Sequence, residues 1–304
     1  MKYLITGCFG FVGRYLVEAI RRAEPSAEIV GVDRAPATFP VTRAVVLDLL
    51  DLDAFADVIA RERPDRLIHL ASFSSVGFSW HEPIASFTNN TNIFLNVLEC
   101  VRRHWPATRV LSIGSSEQYG LVTEADLPLR ETSPQRPLSP YAVARVAQEH
   151  LGEVYVRGYG LDVVATRSFN HVGPGQSAQF VISALAKQFA HGATIRVGTT
   201  SVIRDFLDVR DVVTAYLALL DRGTRGEVYN ICSGRGVSIA DAIGMLAKIA
   251  KVEPVLEIDP ALVRPVENAI VVGDHAKITA AVGWRPTINL EAALRDVYAY
   301  WKAT

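Results

Sequence analysis

The sequence predicts an α/β protein, a doubly wound parallel sheet with a smaller α/β lobe towards the C-terminal end. Three observations predict it. Short apolar runs alternate with helical patterns as far as Asn170. The runs are near-continuous rather than alternating apolar and polar, as strands covered on both faces require. A glycine-spaced turn also separates the first run from the first helical pattern. Regular alternation of strand and helix implies right-handed crossovers between parallel strands.

Taken in order, Tyr3–Thr6 reads as a strand and Val12–Ala23 as a helix. Ile29–Asp33 and Val45–Asp48 are the next strands, followed by a helix over Leu52–Arg63. Leu67–Ala71 is a strand and Ile84–His104 a long helix. Arg109–Gly114, Tyr141–Gly158 and Val163–Arg167 repeat strand, helix, strand. Beyond Asn170 the rhythm loosens. Gly173-Pro174-Gly175 is a loop, Phe180–His191 a helix and Thr194–Val197 a strand. Asp211–Asp221 and Glu227–Ile231 read as a return to the sheet, and Ser238 caps a helix over Ile239–Lys251. Val255–Ile258, Ile278–Val282 and Asn289–Trp301 complete a less regular region. The expected division is residues 1–170 with about 203–233 in the sheet domain, and 171–202 with 234–304 in the second lobe.

Of 304 residues, 49% are apolar and 21% charged, and the net charge is −1. A chain of that size buries a core without staples. Nearly balanced, interspersed charge argues against a nucleic-acid or membrane-surface partner, while leaving room for a local cationic pocket. Cys8, Cys100 and Cys232 are odd in number and far apart. They suggest neither a disulfide framework nor a metal site, so no metal is expected and a cytoplasmic location is. No secretory leader or membrane-spanning run is apparent.

The turn is Thr6-Gly7-Cys8-Phe9-Gly10-Phe11-Val12-Gly13, with spacing G-x-x-G-x-x-G. In a Rossmann sheet, Gly7 would make the tight turn, Gly10 admit a pyrophosphate to the backbone, and Gly13 let helix and strand pack closely. The helix N-terminus would supply free N–H groups and positive dipole. Asp33 ends the second strand at the place where a carboxylate meets ribose hydroxyls, which favours NAD. Arg34 follows it and suits a 2′-phosphate, so NAD and NADP both stay open. Asp48 stands where a carboxylate can meet the adenine amine or simply cap a helix.

Ser115 follows the Arg109–Gly114 strand, at the sheet end where ligands bind. Tyr141 and Arg145 are i and i+4 on a helix opened by Pro140, and share a face. Reduction of a ketone by hydride needs a proton at the oxygen. A free phenol, with a pKa of about 10, is a poor two-way donor near neutrality. A fixed cation favours the phenolate, and a serine hydroxyl stabilises charge growing on the carbonyl oxygen.

With these motifs on the page, the chain resembles the extended short-chain dehydrogenase/reductase family of nucleotide-sugar enzymes. The likeness runs through the glycine turn, HLASFSSV, GSSEQYG, SPYAVAR, RSFNHVGPGQ, RDFLDVRDVV and GEVYNICSG. RSFNHVGPGQ and RPVEN are most like the GDP-mannose branch of dehydratases and reductases. The resemblance implies Ser115 and Tyr141 as catalytic residues, with Arg145 beside them and Asn90 as a structural asparagine. The cofactor set it implies is Gly7, Gly10, Phe11, Val12, Gly13, Asp33, Arg34, Asp48, Leu49, Leu70, Ala71, Tyr141, Arg145 and Phe169. The substrate set is Ser75, Ser115, Asn170, Val181, Lys187, Arg204, Arg264 and Glu267, the two arginines holding the diphosphate. A homodimer packed through the helices Ile84–His104 and Tyr141–Gly158 is expected by the same likeness.

One departure stands out. The family motif is Tyr-x-x-x-Lys, and this chain has Arg145. Arginine keeps the charge but cannot lose a proton at working pH. The expectation is slowed catalysis with preserved geometry, or a fold kept for binding NAD(P) and a sugar nucleotide. Glu117 stands where the dehydratases keep an acid/base carboxylate. Ser116, where dTDP-glucose dehydratases have an acidic residue, speaks against that branch. The short segment after the second strand and the compact chain favour reduction of a GDP-4-keto-6-deoxy-hexose over GDP-mannose dehydration or epimerisation.

Overall fold

The computed structural model describes residues 1–263 and 268–304. In chain order its elements begin with β1 (Lys2–Thr6), α1 (Phe11–Ala23), β2 (Glu28–Asp33), β3 (Arg43–Val46), α2 (Leu52–Glu62) and β4 (Arg66–His69). Next come α3 (Val76–His81), α4 (Pro83–His104), β5 (Arg109–Ser115), α5 (Pro140–Tyr159), β6 (Asp162–Ser168) and β7 (Asn170–Val172). They continue with α6 (Val181–His191), β8 (Thr194–Val197), β9 (Ile203–Asp208), α7 (Val209–Arg222), β10 (Val228–Ile231) and β11 (Gly236–Ser238). The last are α8 (Ile239–Ala250), β12 (Val255–Ile258), β13 (Ile270–Val271), α9 (Ala276–Val282) and α10 (Leu290–Ala303).

Seven strands form one sheet in the order β10-β6-β5-β4-β1-β2-β3. Every neighbouring pair is parallel. From β1 the chain winds outward to β3, then returns to β4 on the other side of β1. That reversal opens a crevice beyond the carboxyl ends of β1 and β4. Leu16, Ile20, Val212, Tyr216 and Leu219, from α1 and α7, cover one face of the sheet. Phe55, Ile59, Phe94, Val97, Val101 and Tyr155, from α2, α4 and α5, cover the other. The buried, uninterrupted character of β1 follows from that double cover.

Helix ends follow local chemistry. The Asp51 carboxylate accepts the Ala54 N–H at the start of α2, and Arg63, at φ 46°, takes a left-handed cap that ends it. The third strand lies two residues earlier than the sequence suggests. Asp48 accepts from the Leu50 N–H at 3.0 Å, and this turn ends the extended run. The fourth strand likewise stops at His69 rather than Ala71.

The segment 203–233 divides between two sheets. β10 forms the edge of the large sheet, while β9 pairs with β7, β11 and β13 in a separate four-stranded sheet. β8 and β12 form a two-stranded pair. Ile182, Leu185, Phe189, Ile243, Leu246, Leu294 and Val297, from α6, α8 and α10, make the core of this second lobe. Cys8, Cys100 and Cys232 are all buried and unpaired. Among the described residues no helix is long and apolar enough to cross a membrane.

Candidate active site

One cleft of about 1040 Å³ runs from the turn after β1, past the ends of β4 and β5, to α6 and β9. The turn is shaped by the protein at two of its glycines. Gly7 has φ +65°, and a Cβ there would lie 2.7 Å from the Ala71 backbone nitrogen. A Cβ on Gly13 would run into the Cys8 carbonyl. Gly10 differs, because a Cβ there would meet only the Gly7 oxygen, at 3.4 Å. Nothing in the fold demands glycine at position 10, whereas a ligand lying against the backbone does. Gly10 also caps α1 without a side-chain hydrogen bond, and the first turn carries no acidic residue. The helix end therefore offers its N–H groups and dipole to an anion.

At the end of β2, Asp33 ties its own strand to the turn by accepting the Phe9 N–H at 3.0 Å. The Arg34 guanidinium lies over the Phe73 ring, 5.0 Å from its centre. Asn90 fixes Phe73 by accepting its N–H at 2.9 Å and donating to its carbonyl at 3.0 Å. Asp48 and Leu49 complete this end of the cleft, with Leu70 and Ala71 beside the turn.

Ser115 closes β5 as the N-cap of a short 3₁₀ turn, Ser116–Tyr119. Its Oγ accepts the Glu117 N–H at 3.2 Å, leaving its own O–H free to donate elsewhere. From below, Gln118 accepts the Ser115 N–H at 2.9 Å and donates to Glu149 at 2.8 Å. The buried Arg167 pairs with the same carboxylate at 2.7 Å, which helps hold Glu149 below the usual carboxylate range despite burial.

Across the cleft, the Ser139 hydroxyl caps α5 by accepting the Ala142 N–H, and Pro140 takes the first helical position. Tyr141 thus sits in the first turn, and Arg145 one turn further along. The Arg145 guanidinium is 5.2 Å from the centre of the Tyr141 ring. It donates to the Ile113 carbonyl at 2.9 Å, the Gln148 Oε1 at 2.6 Å and the Ser72 Oγ at 2.5 Å. Its buried Nε–H finds no acceptor among the described residues. A donor left over in a cleft wall fits a bound group that brings its own hydroxyl.

Behind these residues, the Tyr216 hydroxyl meets the Ser168 hydroxyl at 2.9 Å and the His171 Nε2 at 3.3 Å. Burial pushes the Tyr216 phenol up and the His171 imidazole down to about 4, so both are neutral at working pH. On β9, Arg204 donates to the Ile203 and Asn268 carbonyls, both at 2.9 Å, and faces the cleft. Its neighbours Asp205 and Asp208 are otherwise engaged. Asp205 accepts from Ser233, Gly234 and Gly273, and Asp208 from Arg210.

The cleft therefore gathers Ser115, Glu117, Tyr141, Arg145, Phe169, Asn170, Ser75, Val181 and Arg204 with the whole cofactor set named from the sequence. Lys187 is a correction. Its ammonium lies over the Trp301 ring, 5.0 Å from the centre, and not in the cleft. On α6 the residues that meet the cleft are Val181, Ile182, Ala184, Leu185 and Gln188. At 100° per residue, position 187 points well away from position 181 and position 188 does not. That spacing was the available signal for Gln188. Ser72, His171, Tyr216 and Arg196 also line the cleft; Ser72 and His171 fall within HLASFSSV and RSFNHVGPGQ but take no role from them, and Tyr216 and Arg196 carry no motif. Arg264 and Glu267 lie outside the described residues.

A family model described as GDP-mannose 4,6 dehydratase matches residues 4–297. The chain belongs to that family. Its Rossmann sheet and long cleft are the framework of the extended short-chain dehydrogenase/reductases, and the chain is an NAD(P)-dependent nucleotide-sugar enzyme of that type. The GDP-6-deoxy-D-mannose reductase of Pseudomonas aeruginosa is 36% identical over 99% of this chain and 97% of its own length. The structure of RMD from Pseudomonas aeruginosa complexed with NADPH superposes with a TM-score of 0.88 at 36% identity, covering 99% of both chains. The GDP-mannose 4,6-dehydratase of Yersinia enterocolitica is 26% identical over 98% of this chain and 93% of its own length.

Proposed function

We propose that this family member uses NAD(P)H to reduce the C4 ketone of a GDP-4-keto-6-deoxy-hexose, forming a GDP-6-deoxyhexose of the D-rhamnose type. The observation that carries the reading is the Ser115 and Tyr141 pair in one cleft, with an anion-ready helix end on one side and Arg204 on the other. The full-length likeness to a GDP-6-deoxy-D-mannose reductase supports the substrate class. When bound, NAD(P)H supplies the hydride. The turn after β1 would hold its pyrophosphate, and Asp33, Arg34, Asp48 and Leu49 its adenosine half. Tyr141 donates its phenolic proton to the ketone oxygen. Ser115, whose Oγ already accepts the Glu117 N–H, directs its O–H at the same oxygen as charge grows there. The phenolate left on Tyr141 faces the Arg145 cation. The second lobe, residues 171–202 and 234–304 together with β9, binds the nucleotide sugar, with Asn170 and Ser75 at the sugar and Arg204 of β9 at the diphosphate.

Mixing the protein, NADPH and a GDP-4-keto-6-deoxy-hexose should deplete the reduced-nicotinamide absorbance in step with product. Binding of NADPH and GDP with no turnover of any keto-sugar would refute the reductase and leave a binding protein. Glu117, in the cleft wall, favours a second reading, GDP-mannose dehydration. That reading predicts consumption of GDP-mannose with no net change in nicotinamide. We further place the enzyme in the cytoplasm, in keeping with its three buried thiols. We read it as a homodimer, in keeping with exposed Ile84 and Phe87 on α4 and Val143 and Val154 on α5.

A further inference from the structure

We infer that Gln148 is the positioning residue that fits an arginine to the place beside Tyr141, by fixing the Arg145 guanidinium against β5. The inference rests on the reductase reading for its kinetic half only. An ammonium is a compact donor with three rotatable N–H groups, whereas a guanidinium presents five donors in a fixed plane. A guanidinium therefore needs acceptors in its own plane to hold one orientation. Gln148 stands one turn beyond Arg145 on α5 and is almost wholly buried. Its Oε1 accepts from the Arg145 Nη1 at 2.6 Å. Its Nε2 donates to the Ile113 carbonyl at 3.0 Å and to the Ser112 hydroxyl at 2.8 Å. The same Ile113 carbonyl accepts from the Arg145 Nη1 at 2.9 Å.

These three bonds close a ring among Arg145, Gln148 and Ile113, which leaves the guanidinium little freedom to swing. Ile113 lies two residues before Ser115 on the same strand, so the ring sets the cation in register with the serine as well as the phenol. On the far side the Ser72 Oγ accepts from Nη2, in a loop that Asn90 holds through Phe73. All three acceptors are neutral, so the positive charge is not cancelled where it is needed. A glutamate at position 148 would accept from Arg145 but would have no N–H for Ile113 and Ser112, and would add an opposing charge. The buried His69, kept neutral chiefly by burial and further by Arg145, does not compete as a cation.

The test is a double-mutant cycle on the full chain, read first by fluorescence titration with NADPH and then by kcat and KM for the keto-sugar nucleotide. Gln148→Met keeps the volume and removes all three of its hydrogen bonds. With Arg145 present it should weaken NADPH at least fivefold and lower kcat at least tenfold, with KM changed less than threefold. With Arg145→Lys as the background, the same substitution should change either quantity less than twofold, because an ammonium has no plane to fix. Ser72→Ala should show the same dependence on background, and serves if Gln148→Met fails to fold. Equal losses in both backgrounds would make Gln148 a mere packing residue, and no loss with Arg145 present would overturn the inference outright. If the wild type binds NADPH but turns over no keto-sugar, the reductase reading fails while the binding cycle still decides the role of Gln148.

Discussion

Two glycines three residues apart carry different obligations. Gly13 is required by the fold, because a side chain there collides with the Cys8 carbonyl. Gly10 is free of such contacts. Gly13→Ala should therefore unfold or strongly destabilise the protein. Gly10→Ala should leave the melting temperature within a few degrees of wild type while weakening NADPH at least tenfold, measured by titration. Equal NADPH affinity in a folded Gly10→Ala protein would remove the pyrophosphate from this turn. The proposed function makes Tyr141 the proton donor, so Tyr141→Phe should lower kcat about 10²–10⁴-fold with NADPH affinity kept, as for loss of a general acid. These residues were legible in the sequence because their motifs fix chemistry and spacing together. Lys187 was not placed correctly, since a lone lysine on a helix is assigned by face and not by type, and its ammonium lies over Trp301. Gln148 and Ser72 were silent for a related reason. An ordinary glutamine and serine acquire meaning only when folding brings them to Arg145.

At the scale of elements, the strands of the large sheet were readable because both of its faces are covered and their apolar runs are unbroken. β9 was not, because its sequence IRDFLD carries charge at Arg204, Asp205 and Asp208 and so shows no unbroken apolar run. The structure satisfies those charges locally. The wholly buried Asp205 takes the Ser233 N–H at 2.8 Å, the Gly234 N–H at 2.9 Å and the Ser233 hydroxyl at 2.6 Å. No pattern along the strand reveals partners that lie near thirty residues away. α5, by contrast, announces its start through Ser139-Pro140, and that start places Tyr141 in the first turn, where the proposed function puts the proton donor. Ser139→Ala should lose about 1 kcal/mol of stability, the usual cost of an N-cap hydroxyl. It should lower kcat further than that loss of stability explains, because Tyr141 sits in the unsupported turn. Denaturant titration and steady-state kinetics on the same preparation separate the two effects, and Ser139→Thr, which retains the acceptor, should restore both. Unchanged kcat in Ser139→Ala would detach the position of Tyr141 from the cap.

For the whole molecule, the change of stability between pH 6 and 5 is governed chiefly by three buried groups that titrate out of their usual order, while the lowered carboxyls of Glu62, Glu99 and Glu149 act mainly at lower pH. Burial pushes His69 down to about 3 and His171 down to about 4, so both stay neutral in the fold well below the point where an unfolded chain protonates them. Each therefore contributes stability at neutral pH that is lost as pH falls below about 6.5. Burial acts oppositely on Asp205, lifting its carboxyl to about 6 against the pull of its hydrogen bonds. Its protonated form is favoured in the fold, so Asp205 adds stability as pH falls through that value. Between pH 6 and 5 the unfolded chain binds two imidazole protons that the native state refuses, and the native state binds one carboxyl proton that the unfolded chain refuses. The net uptake on unfolding is about one proton, and stability should fall by about 1.4 kcal/mol per pH unit there. His171→Asn removes one of the two imidazoles and should flatten that slope nearly to zero, whatever it does to stability at neutral pH. Urea unfolding at half-unit steps of pH measures both slopes. A wild-type curve that is level or rises towards pH 5 would mean that the buried imidazoles are not held neutral. An unchanged slope in His171→Asn would place the acid sensitivity elsewhere in the molecule.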